Sequence, residues 1–138
     1  MADLTQTAEN VGISGKAVTV ISVQVGEAVT QGMPGYRNAS DNKYYQGEGG
    51  DTAAKAVSLG VFMTPAATDG YAFLATKGPV DLGATLVVGT VYAQSSNKGK
   101  VAPVADLTTG DYVTTLGVAS AADALQLNID STGIQVPA

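Results

Sequence analysis

The 138-residue sequence contains no cysteine, no histidine and no tryptophan. Without cysteine, the chain cannot form a disulfide, a thiolate metal site or a cysteine nucleophile. Without histidine, it also lacks the most common general base and the most common metal ligand in proteins. These absences exclude most familiar catalytic arrangements before any motif is considered.

Charged residues are also sparse, at 14% of the chain, and the formal net charge is −5. A surface that binds nucleic acid needs clustered lysine and arginine side chains. The seven basic residues are instead scattered between Lys16 and Lys100. We therefore expect no nucleic-acid partner.

Long apolar runs are missing as well. No stretch reaches the length of a membrane span, and the first residues lack the charged and apolar regions of a secretion signal. We expect no membrane partner and a chain that is made in the cytoplasm without an encoded export signal.

The residues that do abound are glycine, alanine, valine and threonine, with 17 glycines. Valine and threonine favour strands, and glycine favours tight turns. Residues 16–25 and 125–129 alternate apolar and polar side chains, which is typical of half-buried strands. The sequence therefore predicts an all-β fold: a compact barrel or sandwich of short antiparallel strands, with at most one or two short helical turns.

Landmarks of the first half of the chain recur in the second half in the same order, and most of the offsets lie close to that between Tyr36 and Tyr92 (92 − 36 = 56). The other pairs are Val25-Gly26 and Val88-Gly89, Gly50-Asp51 and Gly110-Asp111, Leu59-Gly60-Val61 and Leu116-Gly117-Val118, and Gly78 and Gly133. Internal repeats indicate architecture. We expect one β domain over residues 13–138, built from two similar halves at roughly 16–80 and 81–136, and an N-terminal arm over residues 1–12.

Local signals predict further details of this scheme. Turn-forming residues place one hairpin over residues 36–45 and a second around residues 90–103. We also expect a short strand at 28–31, a flexible glycine-rich loop at 46–50, a strand from Tyr71 that ends at Lys77-Gly78-Pro79, and a tail from Gly133.

Acidic side chains do not form a recognisable reactive site. Most of them lie beside glycine, asparagine, serine or threonine, where turn capping explains them. Asp41 and Asn42, with Glu48 and Asp51 nearby, do not have the spacing of a calcium loop. No serine-nucleophile motif is present, and the glycine-rich segment lacks the setting of a phosphate-binding loop. We expect no enzyme activity, no cofactor and no metal.

Carbohydrate binding is an alternative that the tyrosines leave open. Such sites display coplanar aromatic rings with polar neighbours in a groove. The available rings are Tyr36, Tyr44, Tyr45, Tyr71, Tyr92 and Tyr112. A paired core or hairpin role for Tyr36 and Tyr92 is the other interpretation.

The N-terminal arm is polar and low in glycine. It is either a frayed terminus or a segment that lies on a partner, because Val11 and Ile13 could add a strand to an exposed edge. On the second interpretation, the contact residues are Asp3, Leu4, Thr5, Val11 and Ile13.

Three segments carry a family resemblance that extends over nearly the whole chain. They are Asp41-Asn42-Lys43-Tyr44-Tyr45, Gly89-Thr90-Val91-Tyr92 and Pro103-x-x-Asp106-Leu107-x-x-Gly110-x-Tyr112-Val113-x-x-Leu116-Gly117. In these features the sequence resembles the small virion proteins of tailed bacteriophages that bind the outside of the capsid as decoration, cement or head-fibre components.

The resemblance implies a non-enzymatic β-barrel subunit that binds the assembled shell and stabilises it. It further implies the major capsid protein as partner, self-association as a homotrimer, and a location on the capsid surface of a virion assembled in the host cytoplasm. The arm residues would then contact the shell or a neighbouring subunit. A phage tail or baseplate component and a carbohydrate-binding β module are the alternatives.

Overall fold

The structure of the protein is a computed structural model, and it describes residues 3–13, 15, 17–50 and 52–137. The described chain is almost entirely β: ten antiparallel strands form one sheet that curls into a half-barrel. The strands are β1 Val11–Ile13, β2 Thr19–Gln24, β3 Pro34–Arg37, β4 Tyr44–Gln46, β5 Gly60–Phe62, β6 Tyr71–Leu82, β7 Val91–Gln94, β8 Val101–Pro103, β9 Tyr112–Ala121 and β10 Ala124–Gln135. Short 3-10 turns at Ala8–Asn10 and Val104–Asp106 are the helical elements of these residues. The predicted all-β class is confirmed.

The sheet consists of two halves with the same internal order. The strand order is β4-β3-β5-β6-β10-β9-β7-β8, so β3 to β6 form a first half and β7 to β10 a second half. Gly35 pairs with Gly60 in the first half, and Tyr92 pairs with Gly117 in the second. Each residue of the second pair lies 57 positions after its counterpart in the first (92 − 35 = 57 and 117 − 60 = 57). The two halves therefore share one strand register.

The shared register corrects one equivalence drawn from the sequence. At an offset of 57, Tyr36 corresponds to Ala93 rather than to Tyr92 (36 + 57 = 93). Successive side chains of a strand point to opposite faces, so a one-residue shift changes the environment completely. Tyr36 and Tyr92 therefore do not have the same role.

Strand β6 links the two halves and is longer than predicted. Lys77-Gly78-Pro79 does not end it, because the strand continues to Leu82. Up to Lys77 it pairs with β2, and from Lys77 onward it pairs with β10. Gly78 has a φ of +108°, and a Cβ there would lie 2.8 Å from the Cα of Val18. Glycine thus allows both the backbone conformation and the close approach at this junction.

The glycine-rich segment after β4 is a packed seam, not a flexible loop. Gly47 and Gly49 are buried. The amide of Gly49 donates to Ser95 O at 2.9 Å, and its carbonyl accepts from the Tyr112 amide at 2.9 Å. Gly99 N likewise donates to Gly47 O at 2.8 Å. The segment joins the first half to the β7–β8 hairpin and β9, and the absent side chains allow the approach.

Two other local predictions are wrong. Residues 28–31 form no strand and contribute only an isolated bridge between Val29 and Ala66. The segment from Gly133 is not a free tail, because β10 continues through Gln135. Asp51, Lys16 and the first two residues of the predicted arm lie outside the described residues.

The interior contains two apolar clusters. The larger one includes Leu82 of β6 together with Tyr92, Leu116 and Leu125 of the second half, and the smaller one includes Phe62 and other residues of the first half. Neighbouring residues of β5 serve different clusters: Val61 belongs to the larger one and Phe62 to the smaller. This division follows from the alternation of side chains along a strand that is covered on both faces.

Candidate interaction surface

The described N-terminal residues 3–13, here called the arm, run along the second half of the sheet. Val11 pairs with Leu82 and Ile13 with Val80, which makes β1 an added strand beside the end of β6. Further towards the N-terminus, Leu4 N donates to Val101 O on β8 at 2.7 Å. The arm therefore fills the strip between β6 and β8, which we call the arm groove.

The first half is closed in a comparable way by a different part of the chain. There, Gly26 follows β2, and its amide donates to Tyr44 O on β4 at 3.0 Å. Tyr44 and Val101 are equivalent at the common offset (44 + 57 = 101). The Leu4 amide thus donates to the Val101 carbonyl in the second half, as the Gly26 amide donates to the equivalent Tyr44 carbonyl in the first.

Side chains also hold the arm in its groove. The Asp3 carboxylate accepts hydrogen bonds from the Ser95 hydroxyl and, at 2.8 Å, from the Asn97 amide. The Gln6 amide donates to Gly32 O at 3.0 Å and to Leu82 O at 2.9 Å. These contacts satisfy the polar groups of an otherwise irregular segment.

The five residues predicted to contact a partner are placed differently from one another. Asp3, Leu4 and Val11 are half-buried against their own chain, and Leu4 packs on the larger apolar cluster. Thr5 is exposed, and Ile13 is 56% exposed. Of the five, only these last two are exposed enough to meet a partner, and the predicted contact itself stays a prediction.

A polar cleft of about 720 Å³ lies beside the arm. Its lining includes Thr5, Thr7, Asp81, Thr85 and Asp123. Hydroxyl and carboxylate groups thus dominate, and none of the described residues that line the cleft is basic, so this lining does not favour an anionic ligand. In the described residues, no group of three or more acidic side chains is arranged to hold a metal ion.

An exposed aromatic pair, Tyr71 and Phe73, lies at the start of β6. Tyr71 is 69% exposed and Phe73 is 52% exposed, and they pair with Gln24 and Ser22 of β2. The alternate residue Leu74 is buried in the smaller cluster. The sequence predicted this strand but not the pair, because five consecutive apolar residues, 71–75, do not show which of them face outward.

A second apolar strip is open in the second half and covered in the first. Val118 of β9 pairs with Val91 of β7 on one side and with Gln126 of β10 on the other. These three residues line a groove of about 490 Å³. The equivalent residues of the first half include Val61 and Ala75, which are fully buried. The two halves therefore share a backbone pattern but present different surfaces.

Most of the tyrosines do not form an exposed platform. Tyr92 is buried, with its hydroxyl accepting a hydrogen bond from Val87 N at 3.0 Å. Tyr36 is also buried and stacks on Tyr45 with ring centroids 5.9 Å apart. Burial raises the pKa of the Tyr36 hydroxyl. Among the described tyrosines only Tyr71 is strongly exposed.

Polar groups at the tip of the first hairpin are engaged with one another. The Tyr45 hydroxyl donates to Asp41 Oδ2 at 2.5 Å, and Lys43 forms an ion pair with Asp69 at 2.6 Å. The hydrogen bond to the carboxylate raises the pKa of Tyr45 to about 12, and the same bond lowers the pKa of Asp41. The bond to Asp69 raises the pKa of Lys43. The Asp41 carboxylate and the Lys43 amide also close a turn at 3.0 Å, so turn formation explains this cluster.

No protein-family model matches the chain, and no curated protein is significantly similar to it. Within the part of the chain that the structure describes, no helix is both long enough and apolar enough to cross a membrane.

Proposed function

We propose that the protein is a non-enzymatic structural subunit of a tailed bacteriophage virion that binds the outer surface of the assembled capsid. As a decoration or cement protein it stabilises the shell, with the major capsid protein as partner. The resemblance of the sequence to such proteins motivates the proposal. The observation that carries it is the exposed aromatic pair, Tyr71 and Phe73, on a strand of the sheet.

Tyrosine and phenylalanine are enriched at protein interfaces, where they bury a large apolar area at a small cost in conformational entropy. Here both rings project from β6, which is hydrogen-bonded to β2 along this stretch. A strand fixed by a neighbour presents its side chains in a defined geometry. The pair is therefore suited to dock on a shell surface.

Binding at several identical sites at once supplies the affinity that one small patch lacks. A shell offers many identical sites, and a subunit that self-associates as a homotrimer engages several of them at once. The net charge of −5 and the sparse charges give no clustered basic surface that would direct the protein to nucleic acid instead. We propose that the homotrimer is located on the capsid surface of a virion that is assembled in the host cytoplasm.

Binding to assembled shells that lack the protein tests the proposal. We expect the wild-type protein to co-sediment with such shells, and Tyr71→Ser/Phe73→Ser to weaken binding at least tenfold, because it removes two central apolar contacts. Val88→Ser is the matched control, since Val88 is 64% exposed but distant in sequence from the pair. Absence of binding by the wild-type protein, or equal binding by the double variant, would contradict the proposal.

The arm is a second proposed contact with the shell, through Ile13 and Thr5, whose side chains are exposed. Removing the whole arm would also uncover the edge of β8 and the cluster beneath Leu4, so its effect on binding would not report contact alone. Ile13→Ser changes an exposed side chain only and is the appropriate variant for the same sedimentation assay.

Carbohydrate binding is a second candidate that the aromatic pair favours. An exposed tyrosine beside polar Ser22 and Gln24 has the composition of a shallow sugar site. A glycan array separates the two: specific binding that is lost in Tyr71→Ser would favour the carbohydrate module. If the protein co-sediments with purified tails and not with heads, that result would favour the tail or baseplate alternative.

A further inference from the structure

We infer that the arm groove accepts the arm of a second copy of this chain, so that copies are joined by exchanged arms. The inference concerns a contact between copies and needs no shell. It rests on the self-association in the proposed function, but shell binding and arm exchange are measured separately and can fail separately.

The first support is that the arm contacts distant parts of the chain. Asp3 bonds to Asn97, Leu4 to Val101 and Thr7 to Gly83. The Gln6 side chain reaches Gly32 and Leu82, 26 and 76 positions away. Contacts at such separations do not depend on which copy supplies the arm, because every copy presents the same groove.

The second support is that the groove is a sheet edge completed by a separate segment of the chain. The hydrogen bonds of β1 to β6 and of Leu4 to β8 are main-chain bonds, and these recognise any extended segment of the right register. In the first half the chain closes the equivalent edge with Gly26, directly after β2. In the second half, Gly83 adopts a φ of +73° after β6, and the edge is completed by the separate arm.

The third support lies in the link between β1 and β2. Gly15 is exposed, and Ala17 has a φ of +64°. A residue with a Cβ is unfavourable in this left-handed region, so Ala17 is strained where the arm folds back on its own chain. An extended link to a neighbouring copy removes that strain.

Engineered cysteines test the exchange, because the chain has none of its own. Gly12 pairs with Asp81, and a Cβ on Gly12 meets no atom within 4 Å. One tagged chain carries Gly12→Cys, and a differently tagged chain carries Asp81→Cys. The two are unfolded together, refolded at high concentration and oxidised.

We expect a disulfide between the two tagged chains, at least tenfold more abundant than in a control that pairs Gly12→Cys with Ser120→Cys. Ser120 is exposed on β9 and is not paired with the arm. We also expect the yield to rise with protein concentration during refolding. A single chain with both cysteines that forms only an internal disulfide, together with a mixed yield no higher than the control, would overturn the inference.

Substitutions at Ala17 provide a second measurement that needs no cysteine. Ala17→Gly relieves the strain of the folded-back link and should lower the oligomeric fraction, measured by light scattering, about fivefold. Ala17→Pro cannot adopt the positive φ and should raise that fraction. If both variants show the wild-type distribution of masses at all concentrations, the arm is not exchanged.

Discussion

Gly60 and Gly117 show how a repeated residue reflects a repeated contact. A Cβ on Gly60 would collide with the carbonyl oxygen of Ala75, and a Cβ on Gly117 would collide with that of Gln126. Ala75 pairs with Val61 and Gln126 pairs with Val118, so the two collisions occur at the same place in the two halves. The repeated Leu-Gly-Val landmark therefore records a strand that passes unusually close to its neighbour.

This contact gives a prediction for stability. We expect Gly60→Ala and Gly117→Ala each to lower the free energy of unfolding by about 3 kcal/mol, since the neighbouring backbone must move. Gly12→Ala is the control, because its Cβ meets nothing within 4 Å, and it should change stability by less than about 0.5 kcal/mol. Urea unfolding measures all three. Equal stability of the Gly117 and Gly12 variants would show that β9 and β10 lie farther apart than in this structure.

The Tyr45–Asp41 hydrogen bond gives a prediction for titration. Because the bond favours the neutral phenol, the pKa of Tyr45 is raised to about 12 from its ordinary value of 10.0. The stabilisation from this bond is therefore complete below pH 10 and is lost as the pH rises towards 12. The pKa of Asp41 is lowered by the same bond, so its stabilisation is lost as the pH falls below 3.8.

We expect ultraviolet titration to show one tyrosine that ionises near pH 12, and Asp41→Ala to return it towards 10. Asp69→Ala removes a nearby carboxylate that pairs with Lys43 and serves as the control. A titration curve that Asp41→Ala leaves unchanged would contradict the assigned bond.

Residue chemistry could be predicted from the sequence only where it is local. The turn residues Asp41 and Lys43 have the side chains that favour such tips, and they form one. The environments of Tyr36 and Tyr92 were not predictable, because a shift of one residue in the repeat exchanges the faces of a strand. The Gly60 and Gly117 landmarks are 57 residues apart and the two tyrosines 56, and the sequence does not show which offset the strands follow.

At the scale of elements, the arm behaves as an added strand of the sheet. Leu4 packs on the larger cluster and its amide completes β8, so Leu4→Ala should lower the free energy of unfolding by about 1–2 kcal/mol. Thr5→Ala alters an exposed neighbour and should have little effect. Denaturant unfolding of the two variants compares them directly, and equal stability would mean that the arm is not packed on the body.

Strand β6 shows why element boundaries were misread. Gly78 and Pro79 commonly end a strand, yet β6 continues through both. Near this point the strand leaves its partners β2 and β5 and pairs with β10 and β1, and the positive φ of Gly78 lies at the change. The break signal was real, but it marked a change of neighbour, which depends on residues far away in the sequence.

At the scale of the whole molecule, the repeat determines the architecture and the surface determines the proposed role. The all-β class and the two similar halves could be predicted, since both depend on periodicity and turn residues. The sequence did not predict that Val118 is exposed while Val61, at the equivalent position, is buried. Exposure depends on how one half packs against the other. The aromatic pair was missed for the same reason.

The proposed role on the capsid surface is tested most directly by locating the protein in the particle. Electron microscopy of virions labelled with an antibody against this chain should place the label on the outer surface of the head, at regular positions of the shell lattice. Label confined to the tail, or intact virions that contain none of the protein, would contradict the account.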